Sequence, residues 1–390
     1  MKQYSFLLGA GFSKNKGYPL AAEINKKLID LDAEDFWVHT SGTVILKQKS
    51  DNDPCCYTEN SKTRYFLINL IKFYICKTVQ TFNYEEFYDY YNEIYRNGKI
   101  IPDFNSLCDD FRTKFKIEIN NTNLLSHANH IFNQLVTLFL VDDDGQNFYD
   151  SVHYGKPIFP GYTGFLNYIE QLGSEGTVHI HTLNHDLFFE VFKNSDWINN
   201  DFSDGYRELG SPYYGQYSEN KVRLRYFSNK YDKTFRLYKL HGSIDQFPFH
   251  IQEKGVDAYI KIKFGVGTTN LYKEITNKEG ELKYINDWIN YHPDFLSGTS
   301  SKILRYREPL YYNKVFNHFE KNLSNSASLI IIGYGCTDIE INRIILKNYK
   351  NKPVFIVDPN PSDQVKIFSE KCNGKLIMST PDNITSSDFI

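Results

Sequence analysis

Residues Tyr4-Ser-Phe-Leu-Leu8 run directly into Gly9-Ala-Gly-Phe-Ser13. The first five read as a buried strand, and the glycines that follow break it into a tight turn. Pro19-Leu-Ala-Ala-Glu-Ile-Asn-Lys-Lys-Leu-Ile29 then predicts a helix with proline in its first turn. Strand, glycine turn and helix form the unit with which α/β proteins approach a dinucleotide. The dehydrogenase pattern G-x-G-x-x-G is incomplete, because Lys14 stands at the third glycine. No Gly-Lys-Ser/Thr follows either, so the turn is not a P-loop. Alone, Gly-Ala-Gly equally describes a plain turn.

Four more apolar runs share its design. They are Val178-His-Ile-His-Thr-Leu183, Phe235-Arg-Leu-Tyr-Lys-Leu240, Ser328-Leu-Ile-Ile-Ile332 and Pro353-Val-Phe-Ile-Val357. Each ends at a polar or glycine-bearing turn: Asn184-His-Asp186, His241-Gly-Ser243, Gly333-Tyr-Gly335 and Asp358-Pro-Asn-Pro361. In an open parallel sheet, ligands sit beyond the carboxyl ends of the strands, so five such turns are expected along one edge. Between about Ser61 and Leu140, apolar residues recur at three- and four-residue intervals, which predicts helices. No Pro/Gly/Ser-rich linker bounds that stretch, so it reads as an insertion. A β-like excursion is expected from Val256 to Tyr284, turning at Asn277-Lys-Glu-Gly280.

The 390 residues suffice for one large domain or two ordinary ones. Thirty Tyr and thirty Phe argue against disorder and for thick helical packing or extensive interfaces. A net charge of −3 supplies no global attraction to nucleic acid or to acidic membranes. No apolar run is long enough to span a bilayer, and no signal-peptide pattern opens the chain. Six cysteines, among them the adjacent Cys55-Cys56, form no C-x-x-C pair; reduced and mostly buried thiols in a cytoplasmic protein are expected.

Asn184 can orient a water and Asp186 can hold a ribose hydroxyl, although Asn and Asp at a strand end also simply make a turn. His241, at the mouth of another strand, is a candidate general base or a structural histidine. His179 and His181 would share one face of a strand, as some metal hydrolases require, with His185 and Asp186 nearby. Distant ligands are not evident, so no metal is assigned. Asp142-Asp-Asp-Gly145 lacks a twelve-residue calcium loop and reads as a solvated turn.

Together, Gly9–Ser13, Thr182-Leu-Asn-His-Asp186, Leu240-His-Gly-Ser243, Leu329-Ile-Ile-Ile-Gly-Tyr-Gly335 and Val354-Phe-Ile-Val-Asp358 resemble the sirtuin family, in the family's order. Gly333-Tyr-Gly-Cys-Thr-Asp-Ile-Glu-Ile-Asn342 is similar to a stretch of the prokaryotic sirtuin-like NAD-consuming proteins of anti-phage defence. The resemblance implies an α/β, sirtuin-like Rossmann fold with a parallel sheet. It would be one domain over 1–390, with a helical insertion at 31–150 and a β-containing insertion at 245–295. Deacylase sirtuins carry two C-x-x-C pairs for structural zinc; this chain has none, and no zinc module is expected.

The implied activity is hydrolysis of NAD+ to nicotinamide and ADP-ribose, depleting NAD in abortive infection. Asn184 would orient the water or the ribose, and His241 would accept a proton. Gly9, Ala10, Gly11, Phe12 and Ser13 would contact the pyrophosphate. Gly333, Gly335, Asp338 and Asn342 would line the other side of the nucleotide, with Asp186 and Asp358 on its riboses. An inactive NAD- or ADP-ribose-sensing subunit and a protein deacylase are the alternatives. The motifs extend from Tyr4 to Asp358, so control is expected from oligomerisation or another chain. The rings of Tyr84 to Tyr95 would form a subunit interface, and the partner implied by resemblance is a HerA-type hexameric ATPase. Contact with nucleic acid would be indirect.

Overall fold

A computed structural model describes residues 2–39, 42–47, 59–78, 81–97, 103–142, 145, 154–198, 201–252, 254–262, 266, 270–286, 293–294, 306–349 and 351–390. Seven strands form one parallel sheet: β1 (Lys2–Leu8), β2 (Gly176–Thr182), β3 (Phe202–Ser203), β4 (Phe235–Lys239), β5 (Ser328–Ile332), β6 (Val354–Val357) and β7 (Lys375–Ile377). Their spatial order is β7-β6-β5-β1-β2-β4-β3, so the chain leaves β1 in both directions along the sheet. The five strands expected from the apolar runs are all present. Buried on both faces, they read as continuous hydrophobic runs, as parallel strands do.

The register places the functional turns. Val357 pairs with Ile332, Ile332 with Leu8, Leu8 with Thr182, and Thr182 with Lys239. The residues just past this row therefore leave the sheet at one level. Neighbouring strands lie about 4.8 Å apart, so the row spans about 19 Å from Asp358 to Leu240. Phe6, Leu8, Ile180 and Ile330 face one aromatic core; Leu7, Tyr238, Leu329 and Ile331 face the other.

Helices α1 (Ala10–Ser13), α2 (Ala21–Asp30), α3 (Glu59–Thr78), α4 (Tyr84–Asn97), α5 (Phe104–Phe115) and α6 (Asn121–Phe139) follow β1. The last four pack around a core that also takes Ile24 and Leu28 of α2. Asn25 Oδ1 accepts the Tyr84 N–H at 2.8 Å, fixing the start of α4 to α2. Tyr84, Phe87, Tyr88 and Tyr91 are buried in this core. The interface expected of the Tyr84–Tyr95 rings is thereby corrected: these four pack inside their own chain. The Tyr95 side chain lies outside the described residues.

The antiparallel region is larger than expected. Gly205–Arg207, Tyr213–Tyr217, Asn220–Arg223 and Arg225–Lys230 precede β4, and Gln246–Ile251, Gly255–Lys261, Leu271–Thr276 and Leu282–Ile285 follow it. They form two four-stranded sheets. The 277–281 turn joins the last two strands, as the sequence predicts.

Cys76, Cys108, Cys336 and Cys372 carry free thiols, of which Cys108 and Cys336 are buried; Cys55 and Cys56 lie outside the described residues. Asp142 is not a solvated turn residue, because it is buried against Lys16 Nζ at 2.9 Å. Asp143 and Asp144 lie outside the described residues. No helix among the described residues is long and apolar enough to cross a membrane.

Candidate functional site: a cleft along the carboxyl edge

The turns beyond the sheet enclose a cleft of about 660 Å³, within the range of small-molecule sites. Gly9, Ala10, Gly11, Ser13, Asn184, Asp186, His241, Gly333, Gly335, Asp338 and Asp358 all line it. Of the residues expected at the site, Phe12 and Asn342 do not. The Phe12 ring is fully buried, 4.8 Å from Phe165 and stacked 5.6 Å from Phe189. Asn342 stands behind the wall, donating Nδ2 to Cys336 O at 2.8 Å and accepting the Tyr334 hydroxyl at 3.0 Å.

The two glycine turns are packed against each other. Gly9 N–H donates to Ile332 O at 3.1 Å, Gly11 N–H to Gly333 O at 3.0 Å, and Phe12 N–H to Gly9 O at 2.9 Å. A Cβ on Gly9 would meet Gly333 O at 2.6 Å, and one on Gly333 would meet the Phe12 nitrogen at 2.2 Å. Gly333 also has φ of 62°, which disfavours any side chain. These glycines therefore let two loops touch. The N–H groups of Gly9, Gly11 and Phe12 are donated within the chain, while Gly9, Ala10, Gly11 and Ser13 still line the cleft.

Asn184 is 8% exposed and follows β2. Its Nδ2 donates to Gly9 O and to Ser13 Oγ, both at 2.9 Å, joining the β2 turn to the β1 turn. Asp186 Oδ1 accepts the Phe188 N–H at 3.0 Å. Burial pushes its carboxyl up from the ordinary value, partly countered by the Lys239 ammonium and the Ser13 hydroxyl.

His241 is 5% exposed. Its Nε2 lies 3.4 Å from Asp338 Oδ2. Asp338 is the N-cap of the helix Ile339–Asn348, its Oδ1 accepting from Glu340 N at 3.0 Å and Ile341 N at 3.1 Å. The Tyr306 hydroxyl donates to Asp338 Oδ2 at 3.2 Å, and the Tyr306 ring lies nearly parallel to the His241 ring, 6.4 Å away. On the other side, the His185 ring is 6.3 Å from His241.

Asp358 closes the row after β6, its Oδ1 accepting Asn360 N at 2.8 Å. The opposite wall comes from Tyr18, Leu20 and Ile24 around α2, and from Tyr84 and Glu85 of α4. Sequence reading missed this wall. Its one local signal is Asn83, whose Oδ1 accepts from Glu85 N and marks the helix start.

A buried ionic cluster lies under the β2 and β4 turns. Lys239 donates to Asp186 O, and Lys261 Nζ reaches Glu190 Oε1 at 2.8 Å and Asp245 Oδ2 at 2.9 Å. Arg225 pairs with Asp204. Burial alone would raise Asp204, but Arg225, Lys193 and Lys261 outweigh it and hold the carboxyl far below its ordinary range.

The histidine pair on β2 is structural. His179 bonds Tyr238 through Nδ1 and Gln3 through Nε2; His181 bonds Phe6 O through Nδ1 and Asn322 through Nε2. Among the described residues, no group of three or more His, Cys, Asp or Glu side chains could hold a metal.

Comparison with known proteins agrees with this architecture. The family model described as a SIR2-like domain matches residues 178–377, about half of the chain. No curated protein matches. Among solved structures, a Sir2 homolog–NAD complex is similar at 8% identity and TM-score 0.38, over 100% of this chain and 88% of that one. A structure addressing the mechanism and regulation of Sir2 enzymes matches at 11% identity and TM-score 0.35, over 98% and 88%. A Sir2–p53 peptide–NAD+ structure matches at 11% and 0.32, over 97% and 88%. The domain match, rather than these distant likenesses, carries the assignment: the chain belongs to the SIR2-like domain family.

Proposed function

We propose that this protein is an NAD+ hydrolase, cleaving the bond between nicotinamide and ribose. The observation that carries the reading is the convergence of Asn184 and His241 on one cleft walled by the paired glycine turns. Family membership makes NAD+ the expected substrate. Water attacks the anomeric carbon as the carbon–nitrogen bond breaks; the bonding pair leaves with nicotinamide, and the water proton passes to His241. Asn184 uses Nδ2 to hold Gly9 and Ser13, which leaves its oxygen as the atom to orient water or a ribose hydroxyl. Asp358, at the far end of the row, suits a ribose diol.

The chain acts as a single sirtuin-like domain over 1–390, carrying a helical insertion at 31–150 and a β-containing insertion at 245–295. Its role is anti-phage defence by NAD depletion in the cytoplasm, supported by the likeness of Gly333–Asn342 to such proteins. Control comes from homo-oligomerisation or from another chain, for which the resemblance suggests a HerA-type hexameric ATPase. Protein deacylation is disfavoured because the sequence has no C-x-x-C pair for the zinc module of deacylases.

The test is incubation with NAD+, alone and with genomic neighbours, followed by chromatography. Nicotinamide and ADP-ribose in equal amounts are expected. Unchanged NAD+ under every condition, with binding intact, would instead identify a sensing subunit.

A further inference from the structure

Asp338 divides its carboxylate between two tasks. Oδ1 caps the helix Ile339–Asn348, which fixes the rotamer and leaves Oδ2 pointing back over the cleft. There Oδ2 meets two rings at once: His241 Nε2 at 3.4 Å and the Tyr306 hydroxyl at 3.2 Å. The helix does not require this second contact, since a cap needs only one oxygen. We propose that Asp338 is the positioning residue for His241, its Oδ2 orienting the imidazole and stabilising the imidazolium formed when His241 takes a proton. A separation of 3.4 Å is long for a hydrogen bond, and such contacts often tighten only once substrate is bound.

The surroundings fit this division. Tyr306 is buried, and burial together with Asp338 holds its phenol neutral and able to donate. Its ring lies nearly parallel to the imidazole, with the centroids 6.4 Å apart. Among the described residues, the titratable groups close by include His185, whose ring is 6.3 Å from His241, Tyr334, whose hydroxyl bonds the backbone of Asp338, and Glu340, whose charge acts on Tyr306 and feels that of Asp338. Among the described residues, Asp338 brings a carboxylate oxygen to 3.4 Å from His241 Nε2. Asp338, expected as a nucleotide contact and lining the cleft, thereby also serves His241.

The inference rests on reading His241 as the proton acceptor, so its test is made without NAD+ as well as with it. Asp338→Asn keeps the cap and removes the charge; Asp338→Ser keeps the cap and removes the reach. Both should melt within a few degrees of the parent, because Asn and Ser cap nearly as well as Asp. NMR titration of the His241 ring, assigned with His241→Gln, should show its midpoint lower by about one pH unit in both variants. NAD+ turnover should fall about tenfold or more through kcat, with KM little changed.

Tyr306→Phe leaves the cap untouched and removes a donor that shares Oδ2, so the midpoint should rise by about 0.3 to 0.5 units. This variant keeps the test decisive if the Asp338 variants do not fold. A midpoint unmoved in the folded variants overturns the proposal. A ring that responds as stated in a protein that never cleaves NAD+ supports the positioning role and overturns the hydrolase reading.

Discussion

Asn184 Nδ2 stands 2.9 Å from the carbonyl of Gly9, so the residue expected to orient water also locks the glycine turn. The second bond, to Ser13 Oγ, is equally short, and both lie in a buried setting. Asn184→Ala should therefore do two things. It should destabilise the fold by about 1–3 kcal/mol, the net worth of two buried hydrogen bonds, and lower NAD+ turnover about a hundredfold or more. Urea unfolding and a nicotinamide-release assay separate the effects. Unchanged turnover in a folded variant would remove Asn184 from the chemistry.

His241→Ala, by contrast, should be selective. The ring approaches Asp338, whose cap remains after the substitution. Turnover should drop by about a hundredfold or more, the usual scale for a general base. The melting temperature should stay close to the parent's, which thermal denaturation can check.

Much of this was legible in the sequence. Five parallel strands declared themselves as apolar runs, and their polar turns fell on one edge because parallel strands all deliver their carboxyl ends there. Strand β3, with two residues, and β7, with three, are too short to show a period. The strands between Gly205 and Lys230 were hidden for another reason. Their partly buried faces are built from Tyr, Arg and Lys, as where Arg207 bonds the Tyr226 hydroxyl and Arg223 the Tyr214 hydroxyl. Hydrophobic alternation cannot register such pairs. The turn glycines were found as a nucleotide-binding turn, and the structure gives them a further role in loop packing. That Gly11 N–H meets Gly333 O depends on β1 lying beside β5, a neighbour relation across more than three hundred residues.

Gly333→Ala tests that packing. The new methyl would sit 2.2 Å from the Phe12 nitrogen, at a φ that L residues rarely adopt. Backbone cannot yield as a flexible side chain would, so a loss of about 3 kcal/mol or more is expected. Chemical denaturation measures it; a loss below about 1 kcal/mol would show that the two loops can part cheaply.

The buried histidines set a pH dependence. Burial, aided by Arg236 and His318, brings His179 down to about 3, and burial with His179 puts His181 well below its ordinary value. Both stay neutral in the fold while the unfolded chain takes up protons below about 6.5. Stability is thus full above that pH and falls as pH drops, by about 1.4 kcal/mol per unit for each histidine. Urea midpoints at pH 7.5 and 5.5 should show the fall, and His179→Gln should reduce it.

Because the ring nitrogens of His179 and His181 are spent on Gln3, Tyr238, Phe6 and Asn322, chelators should leave fold and turnover unchanged. Circular dichroism and NAD+ assays in EDTA check this. Activity lost in EDTA and restored by zinc or manganese would overturn it.

Ile24 lines the cleft and is also part of the core of the α3–α6 helices. One side chain is thus shared between a binding wall and a folding unit, and Asn25 beside it fastens α4 to the same helix. Separating those helices would carry away the far wall, so any molecule seated in the cleft must add its binding free energy to the cost of opening them. Occupancy at the sheet edge should therefore slow amide exchange in α4 and α6, so a ligand on the sheet would be felt throughout the helical core.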